Sequence, residues 1–129
     1  MARRASSQPT EVELSILRIL WEHGDSTARQ IHNHLTEDRE TNYSTTVKML
    51  SVMLDKGLVR RDDSVSPQLF RPAATQKRTQ QQILKDVIHK VYNGSAGSLI
   101  LQALASKKAS PEELAEIRRL LNELEGGAD

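Results

Sequence analysis

Hydroxyl and basic side chains cluster near the start of one segment, Tyr43–Arg61, which reads YSTTVKMLSVMLDKGLVRR. Its first half is rich in small polar side chains and carries one lysine: Ser44, Thr45, Thr46, Lys48 and Ser51. Such groups hydrogen-bond phosphate oxygens and base edges, and their small size lets a helix approach DNA closely. A helix that only fills a core has no need of them. The segment therefore predicts a helix that lies in the major groove of DNA.

Residues that catalysis or metal binding would require form no motif in this chain. Among the four histidines, His32 and His34 stand two apart on a predicted helix, so they point to different faces and cannot chelate one metal together. There is no cysteine, no P-loop, no HExxH and no glycine-rich dinucleotide turn. Ser44 has no evident histidine or aspartate partner to activate it. We expect no enzyme, no catalytic residues, no metal and no cofactor.

Composition narrows the class of protein further. The 129 residues favour one domain or two very small ones, and the net charge is only +1. Binding to nucleic acid must therefore depend on local basic clusters, such as Arg60, Arg61 and Arg71 close to the polar segment. The absence of cysteine fits a reducing cytosol. No apolar run approaches the roughly 20 residues that span a bilayer, so we expect a cytoplasmic protein without membrane insertion.

The elements that position the polar segment are predicted from caps and periodicity. The start of the chain, residues 1–9, is predicted to be a flexible basic arm whose arginines serve either nucleic acid or solubility alone. Capping-box patterns at Thr10/Glu13 and Thr27/Gln30 predict helices over residues 11–23 and 28–36.

A third helix and a hairpin complete the first half of the chain. The helix is predicted to open at Tyr43 or Ser44 and to end at Gly57, with an apolar stripe of Val47, Leu50, Met53 and Leu54. Two alternating segments, residues 58–62 and 68–72, predict the strands of a β-hairpin. The fold class is therefore mainly α with a small hairpin, and this first domain spans residues 10–74.

The rest of the chain, residues 75–129, is predicted to be helical. A long helix from Gln76 breaks at residues 93–97, a short helix follows, and Ser110-Pro111-Glu112-Glu113 starts the last one. About 45 helical residues are too few to bury three apolar stripes alone, which predicts packing against a second copy. The alternative is a helical cap folded onto the first domain. The expected dimerisation residues are Ile83, Val87, Val91, Leu99, Leu101, Leu104, Leu114, Ile117, Leu121 and Leu124.

Four segments of the chain resemble one family of regulators. LSILRILWEHGDSTARQIHNHL, YSTTVKMLSVMLDKGLVRR, QLFRPAATQ and VYNGSAGSLILQALASKKASPEELAEIRRLLNEL are similar to the penicillinase-repressor (BlaI/MecI/CopY) family. The resemblance covers residues 10–125. It implies a cytoplasmic transcriptional repressor with an N-terminal winged helix-turn-helix and a C-terminal helical dimerisation region.

The same resemblance implies a DNA-binding surface, an operator and a partner. Helix three would enter the major groove and the hairpin wing would touch the DNA backbone, while a twofold dimer would bind an inverted repeat. Residues expected toward bases are Thr45, Thr46, Lys48 and Met49. Residues expected at phosphates are Ser44 and Arg29, with Arg60 or Arg71 on the wing. Lys48 has two open roles, a guanine contact or a phosphate contact.

Induction in this family differs between members. Antibiotic-responsive members are cleaved at an Asn-Phe bond under the control of a membrane-bound sensor metallopeptidase, and here Gln102-Ala103 stands where that bond would be. Copper-responsive members carry a cysteine motif, which this chain lacks. We therefore expect derepression by proteolysis. Two other readings stay open: a winged helix used for protein–protein contact, and a regulator that responds to a small molecule.

Overall fold

The computed structural model describes residues 8–126, so Arg3 and Arg4 of the predicted basic arm lie outside the described residues. Contacts within the chain divide it into two compact units, an N-terminal unit up to Ile83 and a C-terminal unit from Leu84. The elements in chain order are α1 (Glu11–His23), α2 (Ala28–Leu35), α3 (Tyr43–Lys56), β1 (Val59–Asp62), β2 (Leu69–Pro72), α4 (Gln76–Val91), α5 (Ala96–Ser106) and α6 (Pro111–Gly126). The predicted fold class, mainly α with a small hairpin, is confirmed.

Side-chain caps fix where the first helices begin. Thr10 and Glu13 form a reciprocal capping box at α1, and Thr27 and Gln30 form one at α2. Each box satisfies amides that the helix itself leaves unpaired, and each cap contributes about 1 kcal/mol. α3 ends at Gly57, whose φ of 76° is the left-handed conformation that glycine adopts without strain.

The hairpin is joined to the helices by its second strand. β1 and β2 are antiparallel, with Arg60 opposite Arg71 and Arg61 opposite Phe70. Ser26, in the loop between α1 and α2, exchanges two backbone hydrogen bonds with Phe70, of 3.1 and 2.8 Å. This bridge holds the wing against the helical body, because it ties β2 to the turn that precedes α2.

One apolar core holds the N-terminal unit together. Its buried residues come from all three helices and both strands: Ile16, Leu17, Leu20, Ile31, Leu35, Leu50, Met53, Val59 and Phe70. Trp21 packs against this core, and its indole Nε1 donates to the carbonyl of Ala74, 3.0 Å away. The indole thus ties Ala74, in the segment after the hairpin, to helix α1.

A buried ion pair crosses this unit beside the core. Nζ of Lys56, at the end of α3, lies 2.7 Å from Oε1 of Glu13 in the first turn of α1. Burial alone would raise the pKa of Glu13, but the hydrogen bond from Lys56 and those from Thr10 lower it below its ordinary value. Lys56 also donates to the backbone carbonyl of Gln8, 3.2 Å away. The pair therefore links the ends of α1 and α3.

The C-terminal unit is built differently, because α5 and α6 contain no buried residue within the described chain. α5 begins at Ala96, inside the predicted break at residues 93–97, since Ser95 caps it through the amide of Ser98. Ser110 and Glu113 form the predicted capping box at α6. No helix among residues 8–126 has both the length and the apolar composition of a membrane span.

Candidate nucleic-acid interface

The rotation of α3 about its axis decides which side chains can meet DNA. Thr46, Leu50 and Met53 are buried with at most 1% of each residue exposed, and a helix turns by about 100° per residue, so these three share one side. The opposite side is exposed and polar: Ser44, Lys48, Ser51 and Asp55. Asp55, the only carboxylate on this side of α3, lies near the C-terminal end of the helix. An anionic partner is therefore favoured over the first turns of α3 and disfavoured beyond them.

Thr46 lies on the wrong side of this helix for base contact. The prediction that it faces bases is wrong, because Thr46 is 0% exposed and its Oγ1 lies 2.8 Å from Nδ1 of His32 on α2. Two residues along a helix are about 200° apart, so Thr46 and Lys48 cannot face the same surface. The hydrogen bond satisfies a polar group buried where α2 crosses α3, and thereby helps to position α3.

Val47 and Met49 also take places other than those predicted. Val47, predicted in the core, is 43% exposed, whereas Met49, predicted toward bases, is half-buried and packs against the core. Measured from Thr46, Met49 lies about 60° around the helix and Val47 about 100°. The positions of Leu50 and Met53 in the sequence already indicate this rotation of α3. Viewed down the helix, the direction midway between these two side chains points close to Thr46.

The N-terminal end of α3 gathers hydrogen-bonding groups. Oδ1 of Asn42, the N-cap, accepts from the hydroxyls of Ser44 and Thr45, both at 2.8 Å, and from the amide of Thr45 at 2.9 Å. Within residues 8–126 no acceptor is recorded for the amides of Tyr43 and Ser44. Free amides at a helix N-terminus, with the partial positive charge of the helix dipole, are suited to a phosphate. The sequence motif did not reveal the role of Asn42.

Arg29 reaches this same end of α3 from the neighbouring helix. Its guanidinium carbon lies 3.8 Å from the centroid of the Tyr43 ring, a cation–π contact. His32 meets the other part of that ring edge-on, with centroids 5.5 Å apart. The stack holds the exposed Arg29 against Tyr43, the first residue of α3 and the neighbour of Ser44 in sequence. Tyr43 is the positioning residue that sequence reasoning missed.

Lys48 and Thr45 occupy the exposed side predicted for them. Lys48 is exposed, and no ion pair or hydrogen bond of its ammonium is recorded among the described residues. Thr45 is exposed one turn earlier, with its hydroxyl proton directed to Asn42 and its lone pairs left available to a donor. Together they present one donor and one acceptor to the same approaching surface.

On the hairpin, Arg60 and Arg71 face each other across the strands and so emerge from the same face. Arg71 already pairs with Asp25, at 3.1 Å, and lies 3.8 Å from Asp62. No such pair is recorded for Arg60 within the described chain. Opposed like charges destabilise a hairpin slightly. Asp25 and Asp62 offset that repulsion because they neutralise Arg71. Arg60 is therefore the better phosphate contact of the two arginines.

The histidines support the fold within the N-terminal unit. His32 contacts α3, whereas the ring of His34 stacks on that of His23 of α1, with centroids 3.9 Å apart. The prediction that His32 and His34 point to different faces is confirmed. Among residues 8–126 no cluster of three or more histidine or acidic side chains is arranged for a metal ion.

None of the expected dimerisation residues is buried in the chain alone. Ile83, Val87, Leu99 and Ile117 are half-buried. The exposed ones are Val91, Leu101, Leu104, Leu114, Leu121 and Leu124, and Leu84, Ile100 and Leu120 join them although they were not predicted. Gln102 and Ala103 are exposed in the second half of α5. A continuous helix encloses that bond, so a peptidase would have to unwind it first.

The three-helix body, the Ser26–Phe70 bridge and the hairpin define a winged-helix protein whose exposed helix α3 is suited to DNA. The model of the family described as "Penicillinase repressor" matches residues 9–123, and the chain belongs to that family. The resemblance found in the sequence is thereby confirmed. The protein is a DNA-binding transcriptional repressor and not an enzyme.

Individual relatives are distant but matched along nearly their full length. The penicillinase repressor of Bacillus licheniformis is 21% identical over 116 residues, which cover 90% of this chain and 91% of that protein. The methicillin resistance regulatory protein MecI of Mammaliicoccus sciuri is 22% identical over 113 residues, 88% of this chain and 92% of that protein. MecI of Staphylococcus aureus (strain N315) is 21% identical with the same coverage.

Proposed function

We propose that two copies of this chain bind an inverted-repeat operator, each placing the first turns of α3 in the major groove. The observation that carries the proposal is the exposed N-terminal end of α3, where free amides, hydroxyls, Lys48 and Arg29 converge. These groups match phosphates and base edges, whereas Asp55 limits the contact at the other end of the same face. The proposal places the protein in the cytoplasm together with its DNA.

The proposed contacts follow from exposure and free bonding capacity. Thr45 and Lys48 face base edges, while Ser44, the amide of Tyr43 and Arg29 bind phosphates. Arg60 supports from the wing, with Arg71 held by its aspartates. Thr46 and Met49 are left out of this set, because one is buried and the other packs against the core.

Dimerisation is proposed through the C-terminal helices, residues 75–129. Nine large apolar side chains in this region are exposed in the single chain. Burial of apolar surface contributes about 25 cal/mol per Å², so a second copy that covers this face is strongly favoured. Pairing also doubles the number of bases read, which one copy of α3 needs in order to be specific.

Derepression is proposed to occur by proteolysis at or near Gln102–Ala103, through a membrane-bound sensor metallopeptidase. α5 has no fully buried side chain in the single chain, so outside a dimer little side-chain packing opposes unwinding. Cleavage there would separate Leu104 and α6 from the rest of the proposed dimer surface. Full-length protein that stays intact after incubation with such a peptidase and its signal would contradict this step.

Footprinting on the promoter upstream of the protein's own gene tests the central proposal, with protection of an inverted repeat as the expected result. Lys48→Ala should then weaken binding by about 1–3 kcal/mol at one base position and relax discrimination there. Lys108→Ala, an exposed lysine between α5 and α6, is the matched control and should change neither. An equal loss on every operator variant would make Lys48 a phosphate contact instead.

Salt dependence separates this proposal from a protein–protein winged helix. A DNA-binding dimer loses affinity steeply as salt rises, because phosphate contacts release counterions. Full-length protein that shows no salt-dependent affinity for any duplex would contradict DNA binding and favour the protein–protein module.

A response to a small molecule is the second candidate, because the N-terminal unit contains a cavity of about 200 Å³. Its wall combines apolar side chains such as Leu17, Leu58 and Ile83 with the polar side chains of Gln8, Lys56, Thr79 and Gln82. A cavity of about 150 Å³ can hold a benzene ring. The test follows the chain in induced cells by immunoblot. If the chain leaves its operator and no cleaved product is found, this candidate is favoured over proteolysis.

A further inference from the structure

Two valines interrupt the polar surface of α3. Val47 is 43% exposed and Val52 is 44% exposed, although the core beneath them is filled by Thr46, Leu50 and Met53. Neither valine is needed to close the core. Val47 lies about 60° around the helix from Ser44, so its side chain flanks the face that carries Lys48 and Ser44.

The chemistry of the major groove gives such a side chain one natural partner. Among the groups that base pairs present there, the C5-methyl of thymine is the apolar one. Lys48 reads polar edges, and Thr45 can offer its single methyl group, but Val47 presents the larger and wholly apolar side chain. We propose that Val47 reads a thymine methyl in each half-site of the operator; this specificity role rests on the proposed function.

Position along the helix favours Val47 over Val52. Base contacts in helix-turn-helix proteins come chiefly from the N-terminal residues of the recognition helix. Val52 lies five residues further on, about 7.5 Å along the axis, toward the end that carries Asp55. The two valines have matched exposure and side chains, so Val52 provides a control within the same helix.

The test begins with a duplex that the full-length protein selects from a random-sequence library. Each thymine of the selected duplex is then replaced by deoxyuridine, which removes the methyl group and keeps every Watson–Crick hydrogen bond. For the wild-type protein, a replacement in one half-site should weaken binding about fourfold, and the same replacement in both half-sites about 16-fold, as expected for one buried methyl group per contact.

The variants decide whether Val47 makes that contact. Val47→Ala changes both copies of the chain, so it should bind the thymine duplex about 16-fold more weakly than the wild type, and it should bind the thymine and deoxyuridine duplexes equally. Val52→Ala should keep the full preference for thymine. Circular dichroism of the variants checks that the helices persist, which alanine at exposed helical sites favours.

Each remaining outcome overturns a defined statement. Selection of no duplex would contradict DNA binding itself and thus the proposed function. A selected duplex on which the wild-type protein ignores deoxyuridine would contradict only the role of Val47. Val47→Ala that still prefers thymine, or Val52→Ala that loses the preference, would assign the methyl contact to another residue.

Discussion

The two units of this chain handle apolar surface in opposite ways. The N-terminal unit buries nine apolar side chains in one core and closes its helices with reciprocal caps. In the C-terminal unit, α5 and α6 contain no fully buried residue and expose leucines such as Leu101 and Leu124, each 72% exposed. A unit of the first kind is stable within one chain. A unit of the second kind gains its stability only when another surface covers it.

This difference assigns the two units different tasks. The N-terminal unit is rigid enough to hold Arg29, Lys48 and the free amides of α3 in one arrangement, which a DNA contact requires. In the proposed dimer, the C-terminal unit couples its own order to association. Its loss would therefore weaken DNA binding without unfolding the proposed DNA-contact surface.

The largest expected effect is on the uncovered unit. Leu101→Glu places a charge on the proposed dimer face and should convert the dimer to a monomer in light scattering. Affinity for the inverted repeat should fall by about 10²- to 10⁴-fold, because the two half-sites are no longer linked, while affinity for a single half-site stays the same. Lys108→Glu, exposed in the same unit, is the control. If Leu101→Glu remains a dimer, the exposed leucines of the C-terminal unit do not form the dimer interface, and the proposed difference between the two units is wrong.

The next effect concerns the core of the N-terminal unit. Leu20→Ala removes a side chain that is 1% exposed, and it should lower the free energy of unfolding by about 2–5 kcal/mol in urea titrations. Leu124→Ala, with the same chemical change at an exposed site, should instead weaken dimerisation. Both variants are unfolded at the same concentration, dilute enough to keep the chain monomeric. If Leu20→Ala and Leu124→Ala then lose equal free energy of unfolding, the two units share one core.

The smallest effect comes from the pair of Glu13 and Lys56. Lys56→Met leaves the Glu13 carboxylate buried without its cation and should cost about 2–3 kcal/mol at neutral pH, since Lys56 is partly exposed and a fully buried pair costs about 3–5. Urea unfolding measured at several pH values gives both the size of this loss and its pH dependence.

The pH dependence should be weaker in Lys56→Met than in the wild-type protein. The folded-state pKa of wild-type Glu13 lies below its ordinary value of 4.5, so the contribution is complete above that value and is lost as pH falls through the lowered pKa. In Lys56→Met the hydrogen bonds from Thr10 remain but the cation no longer opposes burial, so the pKa of Glu13 rises relative to the wild type and less stability is lost as pH falls. Parallel pH curves for the two proteins would mean that the pair does not determine the acid response.

Much of the N-terminal unit was predictable from local signals. Thr10/Glu13 and Thr27/Gln30 mark the starts of α1 and α2 because a capping box is a contact between residues three apart. Gly57 marks the end of α3 because its left-handed φ suits glycine. The candidate site was predictable in part, as Ser44, Thr45 and Lys48 occupy the exposed side, whereas Thr46, Val47 and Met49 do not lie where their types suggested.

Those three residues show why the rest required the structure. Nothing local in the run of hydroxyl residues indicates that Thr46 will be buried in a hydrogen bond with His32, fourteen residues earlier. The stack of Arg29 on Tyr43 and the ion pairs of Arg71 likewise join residues that are distant in sequence or that belong to different elements.

The amino-acid sequence by itself determined the order and ends of the elements, the absence of catalytic motifs and the family, because caps, periodicity and motifs depend on neighbouring residues. Only the tertiary structure decided which apolar residues of α3 enter the core, and with them the rotation of α3 and the side chains that can meet DNA. That rotation is set by packing, because Leu50 and Met53 must enter the core and about 100° per residue then fixes every other side chain on the helix.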